Sequence, residues 1–476
     1  MNITELAPLT LELAVFALGI LVLVADLFLS GSNKRILGLF SGIVLAGILI
    51  GSFSIDFSGE SFGGAYVSDP FGLYMKRVLL LAGVIVSFGS VSFVDKNWPT
   101  RQGEHYILIL FSLVGMLLLT GAKDLVVWII AFELAGIPAY VLTGLSKDKR
   151  STEGALKLYV TGAVSTAFTL YGFSLLWGMA GSTSFEQLAL VGPTPLFILG
   201  LLLVIAGIGF KIGAVPFHLW MADTYQGAPG PTVAFISVAP KIALGAGLVR
   251  LFIGGLSGVT AAWTTLMLIL AVIGIVQGNL SAMVQSDSRR MLALSGVGHT
   301  ALLMLALATG GELGVAAVAF YSFAYVVTNM GIFLSVSTVV ESGRDGSIAS
   351  FAGLSRIAPG LSLAMLLFLL SLGAIPFMIG FWAKLVLFWA AWATGILAMK
   401  CVVVLGAVMG VVGLFYYMQI CRSLYMSEPD NHDPVSMDKT AVLAISICIA
   451  GVVLAGFYPA PFIDSAVSAA THLIGG

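Results

Sequence analysis

The sequence predicts an all-α polytopic membrane protein with about fourteen transmembrane helices, including two inverted five-helix repeats in which helices 7 and 12 are broken. The first observation is composition. Of the 476 residues, 59% are hydrophobic and 9% are charged, whereas a soluble domain carries roughly 25% charged residues. The second is that the apolar residues form fourteen runs, most of them close to the roughly 20 residues that a span needs. The third is a Gly-Ala-x-Pro-Phe motif that occurs in the seventh run and again in the twelfth.

The predicted helices fall into four segments along the chain. Residues 1–104 hold helices 1 to 3, residues 105–252 form the first repeat, residues 261–425 form the second, inverted repeat, and residues 426–476 hold helix 14. The two motifs lie five helices apart, and because five is odd the second repeat is expected to have the opposite orientation in the membrane. The apolar runs lie at 7–29, 36–53, 71–94, 105–121, 124–145, 154–180, 195–220, 229–252, 261–284, 290–309, 313–340, 358–392, 397–425 and 440–459.

The N-terminal run predicts a retained helix. It has neither the basic segment nor the small-residue cleavage site of a signal peptide. Four charged residues near the ends of helices 1 to 3 are predicted to be structural or to pair helices: Glu12, Asp26, Lys76 and Arg77.

The orientation follows from the basic residues, which favour loops on the inner side. If the N-terminus lies outside, fourteen Lys and Arg residues fall in inner loops and five on the outer side. The remaining three, Lys211, Lys241 and Lys384, lie within spans. We therefore expect a multi-pass protein of the cell inner (plasma) membrane with both termini on the outer side.

Several classes of function lack support in the sequence. The net charge of −1 provides no basic surface for nucleic acid. The three cysteines, Cys401, Cys421 and Cys448, show no CxxC spacing, which argues against a disulfide framework, an iron–sulfur cluster or a zinc site. No nucleotide-binding glycine motif occurs at a predicted strand–helix junction. We expect neither a cofactor nor a metal ion in this chain.

Ionisable residues inside spans mark the first repeat. Glu133 lies nine residues past Asp124, roughly 14 Å into its span. Lys211 lies five residues before Pro216, and Lys241 directly follows Pro240, which indicates another local break. A lysine at the bilayer centre costs about 2.5–3.5 kcal/mol on insertion scales, so such residues indicate function.

The second repeat has a matching pattern. The run 358–392 is too long for one straight span, and Gly373 and Pro376 predict a break in it. Lys384 follows that break. His299 lies about ten residues into its span, where it is either a proton relay or a hydrogen-bonded core residue.

Structural explanations compete with the functional one. A lone lysine can extend to the interface, and Glu133 can be a satisfied structural carboxylate. The functional hypothesis is that burial disfavours a charged lysine while a nearby carboxylate favours it, so a lysine that meets and leaves a glutamate binds and releases a proton. A broken helix exposes backbone groups that only protein or water can satisfy, and water also conducts protons.

The same residues carry a resemblance to a known family. The sequence resembles the antiporter-like subunits of respiratory complex I and the Mrp-type cation/proton antiporters, and within them most closely the N-type chains. The opening LTLELAVFALGILVLVADLF is similar to the first helix of those chains. The resemblance covers most of residues 105–390 in FELAGIPAYVLTGL, EGALKLYVTGAVSTAFTLYG, FKIGAVPFHLWMADTYQGAPGPTVAFISVAPK, SRRMLALSGVGHTALLMLAL and FAGLSRIAPGLSLAMLLFLLSLGAIPFMIGFWAK.

The resemblance implies roles for individual residues. His218 and Asp223 match polar groups near proton uptake, and Ala222 departs from the family, which usually has proline there. The remaining matches are Glu133 and Lys211 as a pair, Lys157 near that pair, Lys241 as the connecting lysine of helix 8, and Lys384 near the outer half-channel.

The implied function is that of a proton-translocating membrane subunit of a complex I-type NADH–quinone oxidoreductase. The chain is then part of an enzyme without holding a redox centre. NAD, FMN, iron–sulfur clusters and quinone are expected in partner subunits, and other membrane subunits and the lipid bilayer are the expected partners. A proton is expected to pass from Lys211 and Lys241 past His299 to Lys384.

Three alternatives remain open from the sequence: a subunit of a Mrp-type Na⁺/H⁺ antiporter, a subunit of a membrane-bound hydrogenase or dehydrogenase, and a scaffold whose buried charges serve only assembly. The identity of the partner chains distinguishes the first two from complex I.

Overall fold

The computed structural model describes residues 3–54, 58–429 and 432–474, which are almost entirely helical. In these ranges twelve helices are long and apolar enough to cross a membrane. Three further apolar helices are shorter: Arg35–Gly51, Pro359–Leu372 and Ile379–Ala393. The predicted all-α membrane fold is confirmed, whereas the number of fourteen crossings stays a prediction.

The N-terminal segment contains three long helices and a small hairpin that the sequence analysis did not predict. The hairpin strands are antiparallel, with Ser61 opposite Tyr66. The Asp69 carboxylate caps the third helix by accepting a hydrogen bond of 2.7 Å from the backbone N–H of Gly72. The elements are a 3₁₀ turn Ile3–Leu9, α1 Thr10–Phe28, α2 Arg35–Gly51, β1 Gly59–Ser61, β2 Tyr66–Ser68 and α3 Pro70–Asn97.

The first predicted repeat contains helix breaks beside both of the prolines that indicated them, Pro216 and Pro240. Helix 7 is broken as predicted, since it ends at Ile212 before Gly213, whose φ of +70° suits glycine. Helix 8, predicted as one run at 229–252, is divided at Ser237 and Val238. The elements are α4 Gln102–Leu119, α5 Leu125–Thr143, α6 Lys149–Ala180, α7 Phe185–Leu188, α8 Pro195–Ile212, α9 Trp220–Gly227, α10 Gly230–Ile236, α11 Ala239–Leu248 and a π-helical turn Val249–Gly255.

The second predicted repeat has the expected break in helix 12, between Leu372 and Ile379. Helix 11 is interrupted by a π-helical turn, which the sequence analysis did not predict. The elements are a 3₁₀ turn Ser257–Val259, α12 Thr260–Met283, α13 Ser288–Thr309, α14 Gly311–Tyr325, the π-helical turn Val326–Met330, α15 Gly331–Glu341, a 3₁₀ turn Ala349–Phe351, α16 Leu354–Ile357, α17 Pro359–Leu372, α18 Ile379–Ala393 and α19 Leu397–Met426.

The C-terminal segment holds α20 (Lys439–Phe457) and a further helix, α21 (Ala460–Ile474). The sequence analysis placed only helix 14 here. α21 packs against α14 and α3. The Phe462 ring stacks on Phe323 with centroids 5.2 Å apart, and Thr471 Oγ1 donates to Glu312 Oε1 at 2.6 Å.

The spans that carry Lys241 and His299 are among the most enclosed. The 18-residue apolar windows of Gly230–Gly255, Ser288–Thr309 and Gly311–Glu341 are 94%, 89% and 83% buried. Large apolar side chains are exposed instead on outer helices such as α1 and α19. Lys241 and His299 therefore lie in the protein interior, away from the surface that faces lipid.

Candidate functional site

Lys211 and Glu133 form an ion pair between α8 and α5. Lys211 lies in the last turn of α8, just before the break at Gly213. Its Nζ is 3.5 Å from Glu133 Oε1, and the lysine side chain is only 8% exposed. The structure thus brings together the two residues that the sequence analysis paired.

Two hydroxyl groups, one from a tyrosine and one from a threonine, form hydrogen bonds with this pair. Lys211 Nζ donates a hydrogen bond of 2.7 Å to Tyr140 OH and lies 4.2 Å from the centre of the Phe132 ring. Thr166 Oγ1 donates to Glu133 Oε1 at 2.7 Å. The sequence analysis did not identify Tyr140 or Thr166. Tyr140 follows Glu133 by seven residues, which is two helical turns. That spacing places both side chains on the same face of the helix and could have identified Tyr140.

Two glycines provide the space for these contacts. A Cβ atom added at Gly136 would lie 2.2 Å from Lys211 Nζ, and one added at Gly162 would lie 2.2 Å from Tyr140 OH. Real Cβ atoms do not approach other atoms so closely. The positions of the ammonium and the phenol hydroxyl therefore depend on glycine at both places.

Lys241 lies at the start of α11, just after the break that divides helix 8. Its Nζ donates to the backbone carbonyl of Gly296 on α13 at 3.3 Å. The lysine is 5% exposed. A buried ammonium with a carbonyl partner needs further hydrogen-bond acceptors, and water is the natural source where space exists.

His299 lies on α13, in the second predicted repeat, and its ring contacts two tyrosines. Its Nδ1 is 2.6 Å from Tyr321 OH, and its Nε2 is 3.2 Å from Tyr417 OH. Tyr417 OH is also hydrogen-bonded to Ser295 Oγ. Because both ring nitrogens contact hydroxyl groups, the imidazole can take up a proton on one side and release it on the other. The sequence analysis identified neither tyrosine.

Lys384 lies one turn after the break in helix 12. Its Nζ donates to the carbonyl of Leu372, the last residue of α17, at 2.9 Å. A carbonyl at a helix end has no partner within the helix, and it carries the negative end of the helix dipole. The break therefore supplies an acceptor for the buried lysine.

Four small cavities connect these residues. One of about 10 Å³ touches Ile212 and Lys241, and one of about 20 Å³ touches Lys241 and His299. Two more of about 20 Å³ each touch both His299 and Lys384. A water molecule needs roughly 10–15 Å³, so each cavity is of a size to hold about one. Neighbouring cavities share their lining residues, which produces a continuous series from the end of α8 to Lys384.

Lys157 belongs to a different cluster. Its Nζ donates to Glu153 Oε1 at 2.7 Å and to Asp223 Oδ2 at 2.6 Å. Asp223 Oδ1 also accepts a hydrogen bond of 2.5 Å from Arg290 Nη1. The resemblance implied a position near the pair of Lys211 and Glu133, whereas the ammonium contacts acidic residues near the start of α6 and in α9.

Asp223 joins this cluster across three helices, α6, α9 and α13. Partial burial works against its ionised form, but the hydrogen bonds and charges of Lys157 and Arg290 outweigh burial and lower the pKa of the carboxyl from its usual value. The cluster therefore stays charged at neutral pH.

Metal-binding groups are scarce. Within residues 3–54, 58–429 and 432–474, no three His, Cys, Asp or Glu side chains are grouped so that they could hold a metal ion. Cys401, Cys421 and Cys448 are free thiols. The absence of a cofactor from this chain stays a prediction.

Comparison with known structures shows close likeness along the whole chain. A chain of respiratory complex I from Thermus thermophilus with bound aureothin matches with a TM-score of 0.80 and 27% identity over 95% of this chain and 98% of that one. The archaeal membrane-bound sulfane sulfur reductase (TM-score 0.84, 22% identity) and the Mrp complex from Dietzia sp. (0.83, 18%) share the fold.

Comparison of sequences is more specific. Residues 122–410 match the family described as NADH:quinone oxidoreductase/Mrp antiporter, transmembrane. NADH-quinone oxidoreductase subunit N of Moorella thermoacetica is 35% identical over 97% of this chain and 98% of the relative. Subunit N 2 of Rhizobium meliloti is 36% identical over 95% and 94%. The chain therefore belongs to the NADH:quinone oxidoreductase/Mrp antiporter transmembrane family, among the N-type subunits of NADH-quinone oxidoreductase.

Proposed function

We propose that this chain is a proton-translocating membrane subunit of a complex I-type NADH–quinone oxidoreductase. The observation that carries the proposal is the set of buried lysines, Lys211, Lys241 and Lys384, together with a chain of cavities. The cavities run from Ile212, next to Lys211 in the chain, past Lys241 and His299 to Lys384. Buried charges with a purely structural role do not require cavities between them.

Lys211 and Glu133 form the switch in this proposal. The carboxylate stabilises the ammonium, and burial among apolar side chains opposes it. When Glu133 and Lys211 approach, the lysine holds a proton taken up from the inner side. When they separate, burial prevails and the proton passes to the neighbouring cavity.

Lys241, His299 and Lys384 form the path that follows. The proton moves through water in the cavities beside Lys241, reaches the imidazole of His299, and then passes to Lys384. The helix-end carbonyl of Leu372 stabilises the charged form of Lys384 before release on the outer side.

The chemistry that drives this movement takes place in partner subunits. At 100 mV, moving one charge outward requires about 2.3 kcal/mol. Oxidation of NADH through FMN and iron–sulfur clusters, followed by reduction of quinone, supplies that free energy. Other membrane subunits transmit it to this chain, which itself holds no redox centre and remains embedded in the lipid bilayer.

The arrangement in the membrane is part of the proposal. Residues 105–252 and 261–425 form two inverted repeats, each with a broken helix near its lysine. Both termini lie on the outer side of the plasma membrane. Lys157 and Asp223 then lie on the inner side, where they form a charged cluster at the site of proton uptake.

The decisive experiment uses Lys211→Ala and Lys384→Ala in the assembled enzyme. In inverted membrane vesicles supplied with NADH, each variant should lose most proton pumping, because the path is interrupted at one end. Proton uptake and NADH oxidation are measured together, and the amount of assembled complex is measured in the same membranes.

The matched control is Lys400→Ala. Lys400 is a lysine of α19 whose ammonium lies 5.5 Å from the centre of the Trp392 ring, and it lines none of the four cavities. The Lys400→Ala enzyme should pump protons at the normal rate.

Normal pumping and turnover in both Lys211→Ala and Lys384→Ala would refute the relay. Failure of both to assemble would favour a scaffold, and sodium-coupled transport without redox partners would favour an antiporter.

A further inference from the structure

We propose that Tyr140 is a positioning residue that gives Lys211 a second partner, so that the lysine transfers its hydrogen bond between Glu133 and Tyr140 as it binds and releases a proton. The inference rests on the proposed function and adds a residue to its switch. It explains what holds the lysine when the glutamate does not.

Distances show that the phenol is the nearer partner. Lys211 Nζ lies 2.7 Å from Tyr140 OH and 3.5 Å from Glu133 Oε1. That carboxylate oxygen already accepts a hydrogen bond of 2.7 Å from Thr166 Oγ1. Glu133 is thus partly satisfied by another donor, and the lysine is held more closely by the tyrosine.

The contact is enclosed and depends on specific residues. Tyr140 is 9% exposed, and the Lys211 side chain is 8% exposed. Gly136 and Gly162 leave the space that the ammonium and the hydroxyl occupy. Glu133 and Tyr140 lie on the same helix, α5, separated by two turns or roughly 10 Å of rise. Both partners of the lysine are therefore fixed on one element.

The chemistry of the two partners differs in a way that suits a switch. An ionised carboxylate only accepts hydrogen bonds, so Glu133 stabilises the ammonium form. A phenol hydroxyl both accepts and donates. It accepts from the ammonium, and after the proton has left it turns and donates to the lone pair of the neutral amine. Tyr140 stays neutral throughout, and the proton that Lys211 loses passes to the cavity beside Lys241.

This arrangement avoids an unpaired lone pair on the amine. A neutral lysine beside Glu133 alone could donate an N–H to the carboxylate, but its lone pair would have no hydrogen-bond donor. Burial of an unsatisfied polar group is costly, so the deprotonated state would be disfavoured and turnover slowed. Tyr140 removes that barrier without changing the charge of the site.

The test is Tyr140→Phe in the assembled enzyme, in inverted membrane vesicles supplied with NADH. The coupled rate of proton pumping should fall roughly tenfold, the effect of losing one hydrogen bond to a charged group. Tyr159→Phe is the matched control, because the Tyr159 ring is exposed and meets the Tyr140 ring edge-on at 6.1 Å. It should pump at the unsubstituted rate.

Two further variants separate positioning from simple packing. Gly162→Ala keeps the hydroxyl but displaces it, and should reproduce the loss seen in Tyr140→Phe. Fluorotyrosines of increasing acidity at position 140 keep the shape and the hydroxyl. The pumping rate should change steadily along that series, whereas a purely structural role predicts equal rates.

The outcomes distinguish this inference from the proposed function. If Lys211→Ala stops pumping while Tyr140→Phe pumps like the Tyr159→Phe control, the role of Tyr140 is wrong and the relay stands. If Lys211→Ala pumps normally, the relay itself is wrong. Should Tyr140→Phe fail to assemble, equal rates across the fluorotyrosine series would overturn the inference.

Discussion

At the scale of single residues, Lys76 and Glu12 form a buried ion pair. Lys76 is completely buried, and its Nζ lies 3.0 Å from Glu12 Oε1. The same carboxylate oxygen accepts a hydrogen bond of 2.5 Å from Tyr66 OH, and the ammonium also donates to Ser68 Oγ at 3.2 Å. The pair joins α1 to α3 and lies outside both proposed repeats.

Lys76→Met should destabilise the protein strongly. Removing one partner of a buried pair leaves the other charge uncompensated, at a cost of about 3–5 kcal/mol. The double variant Lys76→Met with Glu12→Leu should recover most of that loss, because no unpaired charge remains. The measurement is the thermal stability of the purified complex, with the exposed Lys149→Met as control. A double variant no more stable than the single one contradicts this account.

The predictability of the site differs between residue types. Glu133, Lys211, Lys241 and Lys384 were identifiable because a charge within an apolar run requires an explanation. The sequence did not identify Tyr140, Tyr321 and Tyr417, since a tyrosine in an apolar helix is common and does not by itself indicate a functional site. Their contacts join residues that are distant in sequence, such as Tyr417 and His299. Only the folded chain reveals such partners.

At the scale of helices, the break in helix 12 depends on a close approach of two backbones. Ser371 Oγ accepts a hydrogen bond of 3.1 Å from the backbone N–H of Gly380. A Cβ atom at Gly380 would lie 1.9 Å from the carbonyl oxygen of Ser371. Glycine at this position therefore lets α18 begin beside the end of α17, where Lys384 reaches the carbonyl of Leu372.

Gly380→Ala should move α18 away from α17 and separate Lys384 from Leu372. We expect a loss of proton pumping of roughly tenfold or more, since a displacement of about 1 Å in a reacting group has effects of that order. Gly360→Ala in α17 is the matched control, because a Cβ atom there meets nothing within 4 Å. Pumping and complex content are measured for both variants. Equal pumping would contradict the proposed role of the break.

Helix breaks were predictable where proline interrupts an apolar run. Gly373 and Pro376 indicated the break in helix 12, and Gly213 and Pro216 indicated the one in helix 7. The division of helix 8 lies just before Pro240, which stands in the first turn of α11. The π-helical turn at Val326 carries no such signal. α21 was missed although the spacing of its buried alanines, Ala466, Ala469 and Ala470, is helical.

At the scale of the whole molecule, the loops meet at two ends. At one end Lys123 forms an ion pair with Glu60 at 3.4 Å, and Asp124 forms an isolated antiparallel β-bridge with Ser184. At the other end Arg35 pairs with Asp438 at 2.9 Å. In each of these contacts, the charge distribution assigns both loops to the same side of the membrane. The contacts agree with alternating crossings.

Single cysteines decide the orientation in the membrane and the parity of the crossings. In a background with Cys401, Cys421 and Cys448 replaced, Glu186→Cys lies in a loop assigned to the outer side, where the native side chain is 77% exposed. An impermeant maleimide should label it in intact cells. Lys149→Cys, at the start of α6, should be labelled only in inverted vesicles, because inner loops carry the excess of basic residues.

Thr471→Cys extends the same test to the C-terminus. Thr471 hydrogen-bonds to Glu312, in the first turn of α14. In the predicted topology that turn lies four crossings after the loop of Glu186. An even number of crossings returns the chain to the same side, so Thr471→Cys should be labelled together with Glu186→Cys. Labelling from the opposite side would require an odd total and would exclude fourteen helices. It would also change which membrane surface lies near each of the two helix breaks that carry a lysine. A proton moving from Lys211 to Lys384 would then need a different exit.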